Sequence, residues 1–199
     1  MDHEKADQVT KKLGNEDYTT MAYMPTWRGQ SNHDVNTSEY SREINQLLHY
    51  LDENLKDDQK LYVNFHPIVQ KFVKMDNYEH IYPFPSGVDK YEFLNSVDAL
   101  ITDYSSACWD AYYLEKPILF YQFDLKQYNE TNGSYVNMEK DLFGDRCTKQ
   151  NELVRLIREY TENGFQEKPA YAAMRNNLFV ARDHDNCKRT YEYIKSQGY

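Results

Sequence analysis

The sequence predicts an α/β fold in which a parallel sheet carries helices on both faces. Short apolar runs alternate with amphipathic helical segments over most of the 199 residues, which is the pattern of strands joined by helical crossovers. Residues 96–124 also contain a complete strand, turn, helix and strand, and both strands are apolar throughout. Such strands are typical of a parallel sheet that is buried on both sides.

The first part of the chain supplies three of the expected strands. Residues 1–19 are polar and charged, and we expect a helix or tail that ends at Gly14 and Asn15. Apolar residues recur at helical spacing from about Ser38 to Leu55, which indicates an amphipathic helix. A further helix begins near Tyr91. The apolar runs predicted as strands are residues 21–24, 61–65 and, weakened by prolines, 81–84.

Residues 96–124 are the unit around which the rest of the chain is arranged. Lys116 and Pro117 end its helix, because the residue before a proline is pushed out of the α region. Its first strand, its turn and its second strand are residues 99–101, 102–106 and 118–121.

The turn of this unit places Ser105 and Ser106 at the start of the helix. Small hydroxyl side chains suit the N-cap of a helix. Free backbone N–H groups and the positive end of the helix dipole attract an anion to such a position. We therefore predict that a phosphate group binds there.

Beyond Asp124 the pattern is looser. Residues 126–150 are expected to form turns with one short strand. Helical patterns follow at residues 153–160, 171–180 and 188–195.

Composition excludes several classes of protein. A net charge of −9 argues against nucleic acid as a partner, because nucleic-acid binding requires a basic face. Three widely spaced cysteines give neither a disulfide framework nor a zinc pattern, which favours a reducing cytosol. We find no apolar core of a signal peptide and no apolar run long enough to cross a membrane. The nineteen tyrosines are expected to fill ordinary core and surface positions.

Polar residues follow three of the predicted strands, at residues 25–28, 64–66 and 103–106. Parallel strands joined by right-handed crossovers end at the same edge of a sheet. Ligands of such sheets bind beyond the carboxyl ends of the strands. The three segments are therefore expected to converge on one ligand.

Each of these segments offers a group with a chemical role. Arg28 can clamp a phosphate with two hydrogen bonds, unless it is an ordinary surface arginine. His66 can donate to a phosphate or give a proton to a leaving group. Asp103 is expected to orient its turn. Asp110, in the helix after the serines, can accept hydrogen bonds from ribose or polyol hydroxyls, unless it only faces solvent.

Other motifs give weaker evidence of function. Residues 183–185 (Asp-His-Asp) resemble a metal-holding triplet of some sugar-nucleotide transferases, but they lie in a polar link between helices, so we assign no metal. His33, His49 and His80 lie in polar surroundings. We find no glycine-rich phosphate loop, which excludes the familiar NAD and P-loop patterns, and we expect no cofactor.

Taken together, residues 23–29 (YMPTWRG), 65–67 (FHP), 98–106 (DALITDYSS) and 116–121 (KPILFY) resemble the CDP-glycerol glycerophosphotransferase family of bacteria. This family comprises the teichoic-acid primases and polymerases of cell-wall synthesis. The resemblance covers residues 20–125 well and the remainder loosely. It implies a Rossmann-like domain over residues 20–199, similar to the C-terminal half of a GT-B glycosyltransferase, preceded by the polar helix or tail of residues 1–19.

The resemblance also implies a substrate and a set of contacts. The donor is CDP-glycerol or a related CDP-polyol, and a lipid-linked polyol phosphate accepts the polyol phosphate. By position, Ser105 and Ser106 hold the diphosphate, Asp110 holds a hydroxyl group, and the donor is also touched by Pro25, Thr26, Asn64, Phe65 and His66. The places of the residues at the strand ends, rather than the resemblance, predict His66 as the catalytic residue and Arg28 and Asp103 as further substrate contacts.

In this family a second GT-B half supplies a further histidine, the base for the acceptor hydroxyl, and residues 1–19 contain no equivalent. The resemblance therefore implies that this chain is the donor-binding half, which on its own binds the donor weakly and turns over little. In the full-length enzyme it lies in the cytoplasm at the inner face of the membrane. Near the end of the chain, residues 183–189 keep the ends of a family pattern but not its glycine.

Three other functions stay open at this point. A GT-B transferase that uses a nucleotide sugar shares the fold and the phosphate site. A signalling receiver domain with Asp103 as phosphoacceptor ranks low, because residues 25–28 lack the acidic residues that hold its Mg²⁺. The last alternative is a non-catalytic module that binds a donor or a partner.

Overall fold

The computed structural model describes residues 3–28, 37–75, 77–133, 137–183 and 185–198. Within them the strands form a parallel sheet of six strands in the order β3-β2-β1-β4-β5-β6. This confirms the predicted α/β fold. The strands are β1 Thr19–Tyr23, β2 Gln59–Val63, β3 Ile81–Pro83, β4 Ala99–Thr102, β5 Ile118–Tyr121 and β6 Asp145–Cys147.

Helices connect the strands and cover both faces of the sheet. Over the described residues they are α1 His3–Lys12, α2 Thr37–Asp52, α3 Pro67–Gln70, α4 Lys90–Ser96, α5 Ala107–Tyr113, α6 Leu125–Thr131, α7 Gln150–Glu162, α8 Pro169–Leu178 and α9 Asn186–Ser196. None of the helices in this part of the chain is both long and apolar enough to span a bilayer.

Alternation along β1 divides the core between the two faces of the sheet. Met21 and Tyr23 face α2 and α7, whereas Ala22 and Met24 face α4 and α5. Both sides are closed, which explains why the strands are apolar at consecutive positions. Burying each large side chain contributes about 1.5–3 kcal/mol, so the edge that carries the polar segments stands on a rigid base.

The sheet is extended beyond β5 by β6, whose approach requires a glycine. A Cβ atom added at Gly144 would lie 2.3 Å from the carbonyl oxygen of Ile118. The backbone therefore passes against β5 at Gly144, just before β6 begins. This is the short strand predicted within residues 126–150.

The N-terminal segment is a helix that packs against α4. Ala6 and Val9 of α1 are buried, and Lys5 lies 3.0 Å from a carboxylate oxygen of Glu92. The proposed boundary between residues 19 and 20 stays a prediction.

Candidate functional site

The three polar segments predicted from the sequence follow adjacent strands. The order β2-β1-β4 puts the segment after β1 between the other two. Backbone hydrogen bonds continue past the strands, because Asn64 N donates to Tyr23 O at 2.9 Å and Met24 N donates to Ile101 O at 3.0 Å. We call this region, to which the resemblance assigns the donor, the donor edge; it comprises residues 25–28, 64–66 and 103–106.

Asp103 joins two of these segments. Its Oδ1 accepts from the backbone N–H of Thr26 at 2.8 Å and from that of Tyr104, and its Oδ2 accepts from Arg28 Nη2 at 2.7 Å. The residue is 1% exposed. The predicted role in orienting the turn is confirmed, but direct contact between Asp103 and a substrate is not supported, because both carboxylate oxygens are engaged by protein groups.

Arg28 has a different place from the one expected. Its Nε donates to Asp124 Oδ2 at 2.7 Å, its Nη2 donates to Asp103 Oδ2 and to Asp124 Oδ1, and its Nη1 donates to the carbonyl oxygen of Thr26. Its side chain is 14% exposed. Four of its five N–H groups are thus used inside the protein. This arrangement does not support Arg28 as a bidentate phosphate clamp; instead it ties the ends of β1, β4 and β5 together.

Aromatic rings enclose the same guanidinium group. Its carbon lies 4.9 Å from the ring centre of Tyr104 and 5.3 Å from those of Tyr40 and Tyr128. Burial by itself would lower the pKa of Arg28, but the charge of Asp103 and the hydrogen bond to Asp124 outweigh it and raise that pKa. The cation is therefore held permanently charged in a closed aromatic and acidic setting.

His66 lies on the open side of the donor edge. Its ring stacks on the indole of Trp27, with ring centres 4.9 Å apart and planes 12° apart. The side chain of His66 is exposed. The segment after β1 therefore fixes the plane of the imidazole while leaving it accessible to a ligand.

Two polar atoms beside His66 are buried and have no hydrogen-bond partner among the described residues. They are Thr26 Oγ1 and Trp27 Nε1. Buried polar atoms are normally paired. The hydroxyl group of Thr26 can therefore donate a hydrogen bond to a ligand or accept one from it. Thr26 lies in the segment that the resemblance assigns to CDP-glycerol.

The remaining residues of the segments after β1 and β2 contribute mainly backbone. Phe65 is buried and meets Tyr23 edge to face, with ring centres 5.9 Å apart. Pro25 is buried and Asn64 is half-buried. The phenyl ring of Phe65 thus belongs to the core, and only main-chain atoms of Phe65 are left for a ligand.

The two serines of the third segment have unequal roles. Ser105 Oγ accepts from the backbone N–H of Ala107 at 3.3 Å, whereas Ser106, at the N-cap position of α5, makes no capping hydrogen bond with its side chain. The predicted capping is therefore confined to Ser105. Ser106 is exposed and Ser105 is half-buried.

Asp110 lies in the first turn of α5. Its burial raises the pKa of its carboxyl group, and the positive charge of Lys90 acts in the opposite direction. A carboxylate here can accept hydrogen bonds from hydroxyl groups, as predicted, and it also makes the start of α5 less attractive to an anion.

Sequence reasoning missed Asp124 and the tyrosines around Arg28. Asp124 follows β5 and belongs to the same carboxyl edge of the sheet, so the rule that found the other segments also applies to it. Which carboxylate faces Arg28 depends on the order of the strands, and that order is not readable from the spacing of residues.

A metal ion is not among the ligands predicted from the sequence. Among the described residues, no group of three or more His, Cys, Asp and Glu side chains is arranged to hold one. In the Asp-His-Asp segment, the carboxylate of Asp183 accepts from Arg189 at 2.8 and 2.9 Å. His184 and His33 lie outside the described residues.

Comparison with known proteins identifies the family. The sequence pattern of the family described as CDP-Glycerol:Poly(glycerophosphate) glycerophosphotransferase matches residues 1–196. The chain is 28% identical over 208 residues to the minor teichoic acid biosynthesis protein GgaB of Bacillus subtilis (strain 168), covering 94% of this chain and 22% of that protein. It is 29% identical over 151 residues to the teichoic acid glycerol-phosphate transferase of Staphylococcus aureus (strain NCTC 8325 / PS 47), covering 73% of this chain and 37% of that protein.

The fold has a counterpart among solved structures. The wall teichoic acid polymerase TagF superposes with a TM-score of 0.71 at 23% identity, covering 98% of this chain and 49% of that chain. A variant of TagF soaked with CDPG gives a TM-score of 0.70. The chain thus spans about half of the TagF structure and well under half of both curated relatives. By its match over nearly its whole length, the chain belongs to the CDP-glycerol glycerophosphotransferase family.

Proposed function

We propose that this chain binds the diphosphate of CDP-glycerol, or of a related CDP-polyol, at the donor edge. In the whole enzyme it serves the transfer of the polyol phosphate to a lipid-linked polyol phosphate. One observation carries the proposal: the motifs shared with the family follow the adjacent strands β2, β1 and β4 of the sheet. The CDPG soak of TagF supports the choice of donor.

The geometry suggests a division of labour along the donor edge. Ser105 and Ser106 bind the diphosphate through hydroxyl and backbone N–H groups, and Thr26 adds its hydroxyl. The main chain of residues 25, 64 and 65 and the carboxylate of Asp110 hold the nucleoside and polyol hydroxyls. Asp103 and Arg28 position these segments without touching the donor.

The chemical step is a substitution at phosphorus. The acceptor hydroxyl oxygen forms a bond to the phosphorus of the polyol phosphate, and the bond from that phosphorus to the oxygen of CMP breaks. CMP leaves with the electron pair. Negative charge grows on the leaving oxygen, and His66 stabilises it by donating a hydrogen bond or a proton.

The proton of the acceptor hydroxyl needs a base, and we propose that a second GT-B half of the enzyme supplies it. In that arrangement the lipid-linked acceptor reaches the cleft at the inner face of the cell membrane. The described chain then contributes donor binding and leaving-group stabilisation, so we expect weak donor binding and little turnover from it alone.

Calorimetry tests the proposal. We expect CDP-glycerol to bind more tightly than CDP, and UDP-glucose to bind more weakly than either. In the double variant S105A/S106A the affinity for CDP-glycerol should fall at least tenfold, because a single lost hydrogen bond to a charged group costs about 1.5–3 kcal/mol.

The matched control is Ser196→Ala, which removes an exposed hydroxyl from α9. It should bind CDP-glycerol as the unsubstituted chain does. Equal affinity for all three nucleotides, or equal loss in the serine variants and the control, would contradict the assignment. Preference for UDP-glucose would favour the nucleotide-sugar transferase instead.

A further inference from the structure

A second cleft lies beside the donor edge. It has a volume of about 1220 Å³ and is formed by α2, α6, the ends of β5 and β6, and the start of α7. Of the site residues predicted from the sequence, only Arg28 lines it. Pockets that enclose a drug-sized molecule measure about 300–1,000 Å³, so this cleft suits a longer ligand.

The floor of the cleft is rich in hydroxyl and amide groups on an aromatic surface. Tyr40, Tyr121 and Tyr128 line it together with Gln127 and Gln150. Tyrosine and glutamine side chains both donate and accept hydrogen bonds; the hydroxyl of Tyr40 already donates to the carbonyl oxygen of Thr26 at 3.2 Å, so toward a ligand it is an acceptor. This lining suits a ligand with many hydroxyl groups.

Two lysines at the cleft lie apart from the carboxylates. Lys126 on α6 and Lys149 before α7 are exposed, and neither is within ion-pair distance of a carboxylate among the described residues. The charge of Arg28 is already met by Asp103 and Asp124. Both ammonium groups thus lie outside ion-pair distance of a carboxylate and can meet a ligand, while the charge of Lys149 also acts on Glu152.

Two carboxylates, those of Glu43 and Glu130, also line the cleft, and that of Glu43 lies 3.9 Å from Arg42. A compact polyanion such as a nucleoside diphosphate would be repelled by them. A chain in which single negative charges alternate with neutral hydroxyl-bearing units can place its charges at the lysines and its hydroxyls elsewhere.

We propose that this cleft binds the acceptor as a stretch of polyol-phosphate chain, with phosphodiesters at Lys126 and Lys149 and hydroxyls on the tyrosine and amide floor. The inference rests on the proposed function, since it names where the second substrate lies. Arg28 borders the cleft and is bonded to Asp103 in the donor edge. The end of an acceptor held here therefore lies next to the donor.

Calorimetry with a synthetic soluble hexamer of glycerol phosphate tests the inference. We expect the hexamer to bind, and the double variant K126Q/K149Q to bind it at least tenfold more weakly with a smaller dependence on salt. The control K188Q/K195Q removes the same charge from the exposed helix α9 and should stay within twofold of the unsubstituted chain.

Separate measurements keep this inference apart from the proposed function. Affinity for CDP-glycerol should be the same in K126Q/K149Q and the unsubstituted chain. Absence of hexamer binding, or equal hexamer binding in both lysine double variants, would overturn the cleft assignment even where CDP-glycerol binds as proposed. Loss of CDP-glycerol binding alone would instead overturn the donor assignment.

Phosphatidylglycerol vesicles present the same glycerol-phosphate chemistry as a lipid headgroup. We expect the hexamer to bind without vesicles. Binding to vesicles with no affinity for the soluble hexamer would show that the lysines meet a membrane surface, and would overturn the inference.

Discussion

The two sides of the donor edge differ in how far their polar side chains are exposed. Around Arg28 a cation and two carboxylates are bonded to one another, and three tyrosine rings lie against the cation. Asp103 and Tyr40 are buried there, and the other groups are half-buried. Around His66 and Ser106 the side chains are exposed, and Ser106 makes no capping bond. The first side holds strand ends together, whereas the second is the side to which we assign the ligand. Substitutions on the two sides should therefore separate stability from binding.

The largest effect is expected for Arg28→Ala. It leaves the buried carboxylate of Asp103 without its cation, and such a loss costs about 3–5 kcal/mol of folding free energy. Urea denaturation measures the change. Arg42→Ala, whose side chain is 62% exposed, should change stability by no more than about 0.5 kcal/mol. Equal stability of the two variants would show that the Arg28 network does not hold the edge together.

Alkaline pH should lower the free energy of unfolding, because two cysteine thiols are buried in the core. Burial raises the pKa of both Cys108 and Cys147 to about 12, whereas an unfolded thiol has a pKa of about 8.5. Between these values the unfolded state binds fewer protons, so stability falls as the pH rises, and it is fully present below about pH 8.5. In that range each thiol lowers the free energy of unfolding by about 1.4 kcal/mol per pH unit.

Urea midpoints at pH 8, 9 and 10 test this prediction; tyrosines, whose unfolded pKa is about 10, add to the fall in stability at the upper end of this range. Cys187 is exposed, so Cys187→Ser should keep the same pH dependence. A flat profile between pH 8 and 10 would contradict the burial of the two thiols.

Gly144→Ala probes the close approach of the chain to β5. The added Cβ would lie 2.3 Å from the carbonyl oxygen of Ile118. This oxygen belongs to the backbone, so it cannot turn away as a flexible side chain would. Overpacking of this kind costs about 1–3 kcal/mol. Gly133→Ala meets no atom within 4 Å but adopts a φ of +69°, so it is strained for a different reason. No loss of stability in Gly144→Ala would show that β6 is not placed as described.

The smallest effect on stability, and a large one on binding, is expected for His66→Ala. The stacked contact with Trp27 is worth no more than about 1.5 kcal/mol. Affinity for CDP-glycerol should fall about tenfold, the equivalent of about 1.4 kcal/mol. His49→Ala, an exposed histidine on α2, serves as the control and should change neither quantity appreciably. A loss of stability without a loss of affinity would place His66 with the structural residues.

Much of the fold was predictable because hydrophobic periodicity is a local property. The strands β1, β2, β4 and β5 are apolar at consecutive positions, and the helix α2 keeps its apolar spacing over 16 residues. The strand β6, with the sequence Asp-Arg-Cys, lacks that signal. It exists because it pairs with β5, which no local pattern reveals.

The site was predictable to the level of its segments but not of its partners. The rule that ligands bind at the carboxyl ends of parallel strands identified residues 25–28, 64–66 and 103–106, and these do follow adjacent strands. The rule does not say which charged side chains at this edge form ion pairs with one another. Arg28 was assigned to a phosphate because its carboxylate partners, Asp103 and Asp124, are 75 and 96 residues away in the chain.

A crystal structure of the chain soaked with CDP-glycerol tests the central claim most directly. We predict that the diphosphate lies within hydrogen-bond distance, about 3 Å, of Ser105 or Ser106 and faces His66, while Arg28 keeps its bonds to Asp103 and Asp124. Electron density for the diphosphate away from the donor edge, for example between Lys126 and Lys149, would contradict it.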